Sequence, residues 1–277
     1  MSNLKLIILT SITMAAFAAN SLLCRLVLMD ARNSPISFTQ VRLFSGAIAL
    51  LFFLFKYRHK DVRPASWYRF VAPLFLFSYA LCFSLAYVQI SAGTGALILF
   101  GSVQLTMIVT ALFKKQKLSI WQIVGVALAM VGFVILLLPG IHAPPVDAAV
   151  LMAIAGISWG LYSLAGQRNA NSTYATALNF VMTLPIVLAL MIFLPVSLTY
   201  HGWIFAVISG AVTSAFGYVL WYSVLKQLET TTAAVVQLCV PALATFGGVL
   251  FLGETLHSRL IISSLLIFLG IVLKVKG

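Results

Sequence analysis

The chain has 277 residues, 62% of them hydrophobic and 8% charged, with a mean hydropathy of +1.10. That balance excludes a water-soluble fold, because too few polar side chains remain to cover a surface. The formal charge of +12, from 17 Lys+Arg against 5 Asp+Glu, could suit nucleic acid, but its distribution follows a membrane topology instead.

Ten apolar runs fill the sequence, near residues 4–29, 35–55, 68–89, 92–113, 119–139, 147–167, 173–195, 201–225, 231–252 and 260–275. A bilayer core of about 30 Å needs about 20 apolar residues to cross as a helix. The expected fold is an all-α polytopic membrane protein with ten transmembrane helices, whose function sits inside the bundle. Lys56, Arg58, Lys60 and Arg63 follow the second run. Lys114, Lys115 and Lys117 follow the fourth, Arg168 the sixth and Lys226 the eighth, while the alternate loops hold only Arg32 and Arg259. This positive-inside pattern predicts both termini in the cytoplasm of a bacterial inner-membrane protein. On this reading the first run, though signal-like, is retained as a helix, because the charges alternate correctly only if it counts. Cys24, Cys82 and Cys239 lie within apolar runs and read as small hydrophobes, not as a disulfide or metal framework.

The second half echoes the first. At an offset of 138, Leu118 meets Leu256, Gly132 meets Gly270, Val134 meets Val272 and Ala96 meets Ala234. Two five-helix repeats are expected, at 1–140 and 141–277. Five is odd, so the second repeat enters the membrane inverted, the arrangement of many secondary transporters, with binding near the midplane between the halves.

Phe251-Leu-Gly-Glu-Thr-Leu closes the ninth run with Pro241 ten residues earlier; Ser158-Trp-Gly-Leu-Tyr-Ser lies in the sixth and Gln40-Val-Arg-Leu in the second. On these motifs the chain resembles the drug/metabolite transporter superfamily in its ten-helix EamA-type branch, close to the aromatic-amino-acid exporters. The resemblance covers essentially the whole chain. It implies a central cavity between the halves, with helices 1, 3 and 6 around it. The first half departs from the pattern, carrying Lys115-Gln116 where the second has Gly253-Glu254.

The acids Asp30, Asp61, Asp147, Glu229 and Glu254 all fall at helix ends or in loops, as do His59, His142, His201 and His257. With no ionisable relay at mid-membrane, the sequence favours a facilitator or exchanger driven by the substrate gradient. Arg25 and Arg42 are the two charges inside spans. They could snorkel, or pair with carbonyls or Glu254; alternatively, Arg42, the deeper one, attracts a substrate carboxylate through two parallel hydrogen bonds.

Polar and aromatic residues within the spans supply the other candidates. Asn20 and Ser21 interrupt the first helix; Ser78 and Tyr79 lie in the third; Trp159, Tyr162 and Ser163 share the sixth; Tyr218 is in the eighth and Gln237 in the ninth. Each could equally be a helix–helix contact, and Tyr87 and Tyr222 near helix ends fit an interfacial aromatic belt. Together they make an aromatic wall with a few hydroxyl and amide groups, suited to an amphipathic solute. Pro185, Pro241, Gly247 and Gly248 are candidate hinges or fixed packing features.

The expected function is export or exchange of small amphipathic metabolites by alternating access, aromatic or neutral amino acids leading. A drug, cation or nucleotide-sugar carrier of the same fold is the nearest alternative, and an intramembrane enzyme or receptor the different-class one. No catalytic or metal motif is present, such as His-Glu-x-x-His or Gly-x-Ser-x-Gly with a partnering His, and no cofactor is expected. The expected partners are a small-molecule substrate and the lipid bilayer, with no nucleic acid, acting as a monomer.

Overall fold

The structure, a computed structural model, describes residues 3–56, 68–113, 120–138, 140, 143–166, 171–228, 236–237 and 239–276. Among these residues every regular element is helical. In chain order they are α1 (Asn3–Leu28), α2 (Pro35–Lys56), α3 (Tyr68–Tyr87), α4 (Ala92–Phe113), α5 (Ile120–Leu137) and α6 (Val146–Gly166). They continue with α7 (Ser172–Phe193), α8 (Tyr200–Ile208), the π-helical segment π1 (Ser209–Phe216), α9 (Gly217–Leu225), α10 (Cys239–Leu252) and α11 (Ser258–Lys276).

Six helical stretches are long and apolar enough to cross a bilayer: Asn3–Leu28, Pro35–Lys56, Phe70–Tyr87, Val146–Gly166, Thr173–Phe193 and the unbroken Tyr200–Leu225. Shorter apolar helices cover Ala92–Met107, Ile123–Leu137, Cys239–Leu252 and Ser258–Gly270. The periphery is greasy. Phe52, Phe70, Phe113, Ile192 and Phe246 are exposed, whereas Arg42, Asn20, Ser209 and Thr183 are buried. Such an outside-apolar, inside-polar partition costs free energy in water and is expected when the surrounding solvent is lipid.

Polar caps fix the turns. Asn171 accepts from the Tyr174 amide at 3.0 Å to start α7, and Thr199 accepts from the Gly202 amide at 3.1 Å to start α8. Asn33, between α1 and α2, donates to the Val27 carbonyl at 2.9 Å and accepts from the Thr199 amide at 2.7 Å. One side chain thereby ties the α1–α2 turn to the α7–α8 connection.

Around the centre, α3 and α4 pack on α6, while α2 packs on α7 and π1; α5 and α11 form their own pair to one side. Glycine permits the closest crossings. A Cβ on Gly210 would stand 2.1 Å from the Arg42 carbonyl oxygen and from Ser45 Oγ, so π1 and α2 meet backbone to backbone. The α5–α11 pair uses the same device, with a Cβ on Gly270 falling 2.4 Å from the Gly125 carbonyl.

One sequence expectation changes here. Asn20 and Ser21 do not interrupt α1, which is continuous from Asn3 to Leu28; their side chains are absorbed by interhelical bonds, so the backbone has no reason to break. Instead, the irregular backbone lies at Ser209–Phe216.

Candidate functional site

The site is built from the middles of α1, α2, α3 and α6, with π1 and α9. Arg42 is its deepest charge, 1% exposed. Its Nε donates to Ser214 Oγ at 2.9 Å, and its Nη2 donates to the hydroxyls of Tyr218 at 2.8 Å and Tyr79 at 3.2 Å. The guanidinium carbon also lies 5.2 Å from the Tyr79 ring centre and 5.0 Å from that of Phe83. Desolvating a cation costs several kcal/mol. Charge-assisted hydrogen bonds worth about 1.5–3 kcal/mol each, and a desolvated cation–π contact of about 2 kcal/mol, offset that cost. Charge neutrality is another matter. Among the described residues, the ion pairs are Arg25–Glu254 and Arg32–Asp30, and neither involves Arg42. Its Nη1 is buried without a hydrogen-bond partner.

Asn20 is the matching acceptor. Its Oδ1 receives hydrogen bonds from Ser209 Oγ at 2.6 Å, Thr213 Oγ1 at 3.1 Å and Ser214 Oγ at 3.4 Å, while its Nδ2 donates to the Tyr79 hydroxyl at 3.3 Å. The π geometry makes this possible. In an α-helix, residue 214 would sit about 140° round from residue 209. The wider i→i+5 turn closes that angle and brings Ser209, Thr213 and Ser214 to one face. Ser214 then relays from the Arg42 guanidinium to the Asn20 carbonyl.

An aromatic box closes over this network. The Trp159 ring lies 5.0 Å from Tyr79, 4.6 Å from Tyr218, 5.4 Å from Phe17 and 5.5 Å from Tyr162. Its indole N–H is buried without a partner. Phe17, Asn20, Ser21, Tyr79, Phe83, Leu99, Phe100, Trp159 and Tyr218 enclose a cavity of about 10 Å³, room for a single water. In this conformation the protein's own side chains fill the centre.

Of the sequence-named residues, Trp159, Tyr79, Asn20 and Tyr218 thus line one cavity, and Arg42 stands behind its two tyrosines. Tyr162 backs the wall, stacking on Tyr222 at 5.5 Å. Ser78 contacts Ser158, oxygen to oxygen, at 3.1 Å. Ser163 and Gln237 are fully buried, but neither they nor Ser78 line the cavity. Pro185 lies within α7 and Pro241 near the start of α10. Gly247 and Gly248 have packing reasons: an added Cβ would meet Leu22 and the Glu254 carboxylate, respectively, at 2.4 Å. Tyr87 and Tyr222 are fully buried, which removes them from any interfacial belt; their hydroxyls donate to the Ala92 and Tyr162 carbonyls. Arg25 pairs with Glu254 and with backbone carbonyls, one of the arrangements open to it from sequence. Phe17, Phe83, Ser209, Thr213 and Ser214 are site residues the sequence reading missed. Only the small-polar cluster at 209–214 carried any signal.

Arg58, Lys60, Arg63, Lys114, Lys115, Lys117 and Arg168, which carry much of the topology expectation, lie outside the described residues, as do His142, Asp61, Glu229 and the Lys115-Gln116 turn.

An all-helical bundle with a lipid-compatible exterior and a sealed polar–aromatic centre is a multi-pass membrane protein. The chain belongs to the EamA-like transporter family, whose profile matches residues 4–138 and again residues 147–275. An uncharacterized protein of Pseudomonas aeruginosa is 42% identical over 281 residues, covering 99% of this chain and 95% of that protein. The threonine/homoserine exporter RhtA of Escherichia coli is 34% identical over 143 residues, 48% of this chain and 47% of its own length. A probable amino-acid metabolite efflux pump of Salmonella typhimurium is 24% identical over 203 residues, 67% of this chain and 68% of that protein. One crystal structure superposes with a TM-score of 0.65 at 19% identity, covering 95% of this chain and 97% of the other; it speaks to fold alone.

Proposed function

We propose that this protein exports or exchanges small amphipathic metabolites, neutral or aromatic amino acids first among them, by alternating access between two inverted five-helix repeats spanning 1–140 and 141–277. The observation that carries the reading is the composition of the central site. Phe17, Asn20, Arg42 and Tyr79 come from the first segment matched to the family, and Trp159, Ser214 and Tyr218 from the second. A site assembled across two repeats changes shape whenever they rock against each other. Trp159, Tyr79 and Phe17 supply stacking walls, Asn20 an amide that donates and accepts, and Arg42 the positive charge for a carboxylate. The twofold family match supports the repeat reading, and the exporter relatives support amino-acid-like substrates.

A buried guanidinium with no carboxylate partner among the described residues disfavours the drug or cation alternative, because a cationic solute would add like charge in a low-dielectric site. The charge pattern of the loops supports an inner-membrane protein with both termini cytoplasmic. Cysteines placed at 60 and 115 then react with an impermeant reagent in inside-out vesicles and not in intact cells.

The direct test is counterflow in proteoliposomes holding this protein alone, screened over amino acids, their decarboxylated amines and unrelated metabolites. Uptake of neutral amino acids but not of the matching amines is the expected result. Uptake of amines with amino acids excluded would overturn the assignment.

A further inference from the structure

At the end of the bundle where α3 runs into α4, a second polar cluster has no part in the central site. Arg25, near the end of α1, donates from Nη1 to the Tyr87 and Val88 carbonyls at 2.8 and 2.9 Å. These are the orphan carbonyls at the C-terminus of α3, where a cation is favoured. Glu254, after α10, accepts from the Ala92 amide at 3.0 Å (Oε1) and 2.9 Å (Oε2). Ala92 opens α4, where an anion is favoured. Arg25 Nε and Glu254 Oε1 then pair at 3.2 Å. Two charges cap two helix ends and hold each other.

The backbone is shaped for this clamp. Gly253 turns the chain with φ +66°, a left-handed conformation that glycine adopts without penalty. The turn lets the Glu254 amide return to the Gly248 carbonyl at 3.0 Å. Gly248 lacks the Cβ that would strike the Glu254 carboxylate at 2.4 Å.

Its position matters more than its strength. On one side lies a cavity of about 450 Å³ lined by Arg25, Gln89, Thr94, Glu254, His257 and Arg259. On the other lies the central cavity of about 10 Å³. Between them, Phe83, which lines the central cavity, packs edge-on against Tyr87 at 4.6 Å; the Tyr87 carbonyl is the one that Arg25 holds. Glu254 reaches from the second family-matched segment to α1, α3 and α4 of the first.

We propose that Arg25 and Glu254 form the gate on this side of the carrier: closed, as here, they lock the α10–α11 turn onto α1 and the α3–α4 turn, and their separation joins the 450 Å³ vestibule to the central site. The proposal rests on the carrier reading above, but its test needs no substrate. Ser21, which lines the central cavity, is replaced by Cys in a background lacking Cys24, Cys82 and Cys239. Labelling by an impermeant thiol reagent is timed in intact cells and in inside-out vesicles. Arg32→Cys, exposed on the same turn side as the end of α1, reports which preparation presents the clamp side.

Glu254→Ala and Glu254→Gln are each expected to raise the labelling rate of position 21 from the clamp side about tenfold, equivalent to about 1.4 kcal/mol lost from the closed state. Gln keeps an acceptor for the Ala92 amide, so it separates loss of the ion pair from loss of the cap. Asp30→Asn, which breaks the exposed Arg32–Asp30 pair, is expected to leave the rate unchanged. If correctly folded Glu254 variants label at the wild-type rate, the pair is a helix cap only and the gate is overturned. A failed counterflow screen would count against the carrier reading and leave the labelling result standing.

Discussion

Arg42 and Ser214 lie 172 residues apart in sequence, yet Arg42 Nε donates to Ser214 Oγ at 2.9 Å. The bond crosses from α2 to the π-helical turn and exists because Gly210 lets the two backbones touch. It couples Arg42, a buried cation with no ion-pair partner among the described residues, to the Asn20 acceptor cluster. A shift of π1 relative to α2 must therefore reorganise the guanidinium.

Arg42→Met is expected to keep the fold with only a modest change in melting temperature, since relief of a desolvated charge offsets the loss of the donor to the Ser214, Tyr79 and Tyr218 hydroxyls. Transport of carboxylate-bearing solutes should nonetheless fall roughly 10- to 100-fold, the loss of a charge-assisted bond worth about 1.5–3 kcal/mol. Arg42→Lys should not restore it, because a point ammonium cannot serve Ser214, Tyr79 and Tyr218 with a planar fork. Thermal unfolding in detergent, paired with counterflow, checks both statements. Wild-type flux in Arg42→Met would remove Arg42 from the site.

Trp159→Ala should reduce transport far more than Trp121→Ala. Trp159 contacts four aromatic rings at the cavity, and aromatic pairs contribute about 0.5–1.5 kcal/mol each beyond area burial. Trp121, by contrast, is exposed at the start of α5. Trp159→Phe keeps a ring, so a partial recovery separates lost stacking from a collapsed cavity. Equal flux in matched amounts of Trp159→Ala and Trp121→Ala protein would show that Trp159 only packs.

Gly210→Ala is expected to lower stability by about 1–3 kcal/mol through overpacking, because its Cβ would sit 2.1 Å from the Arg42 carbonyl. Gly217→Ala is the control. There the nearest atom, Ala16 Cβ, is 3.4 Å away, so an ordinary contact replaces a void. Comparison of melting temperatures in detergent decides it; an equal effect at both positions would contradict the close crossing of α2 and π1.

Counterflow without an imposed proton or sodium gradient should proceed. The central network consists of Arg42, Asn20, tyrosines and hydroxyls, and the described acids Asp30, Asp147 and Glu254 all lie at helix ends or turns. Flux that appears only under an imposed proton or sodium gradient would overturn the reading of a carrier driven by its substrate gradient.

How much of this was legible from composition and spacing can be judged residue by residue. The apolar runs set the helical, membrane-spanning character, because in lipid a chain must satisfy its own backbone hydrogen bonds and run length follows bilayer thickness. Trp159, Tyr79, Asn20 and Tyr218 were visible as polar or aromatic residues inside those runs. Phe17 and Phe83 were not, since nothing in sequence separates a phenylalanine facing the cavity from those facing lipid, such as Phe52 or Phe70. Tertiary structure alone decided that Arg25 would bind Glu254 while Arg42 found hydroxyls and rings. It also decided that α8 would open into a π turn, and that Ser78, Ser163 and Gln237 would stay off the cavity wall. The physical reason is the same in each case. Sequence records which groups need a partner in a medium without water, and only the packing of helices distant in the chain determines which partner comes within hydrogen-bond reach.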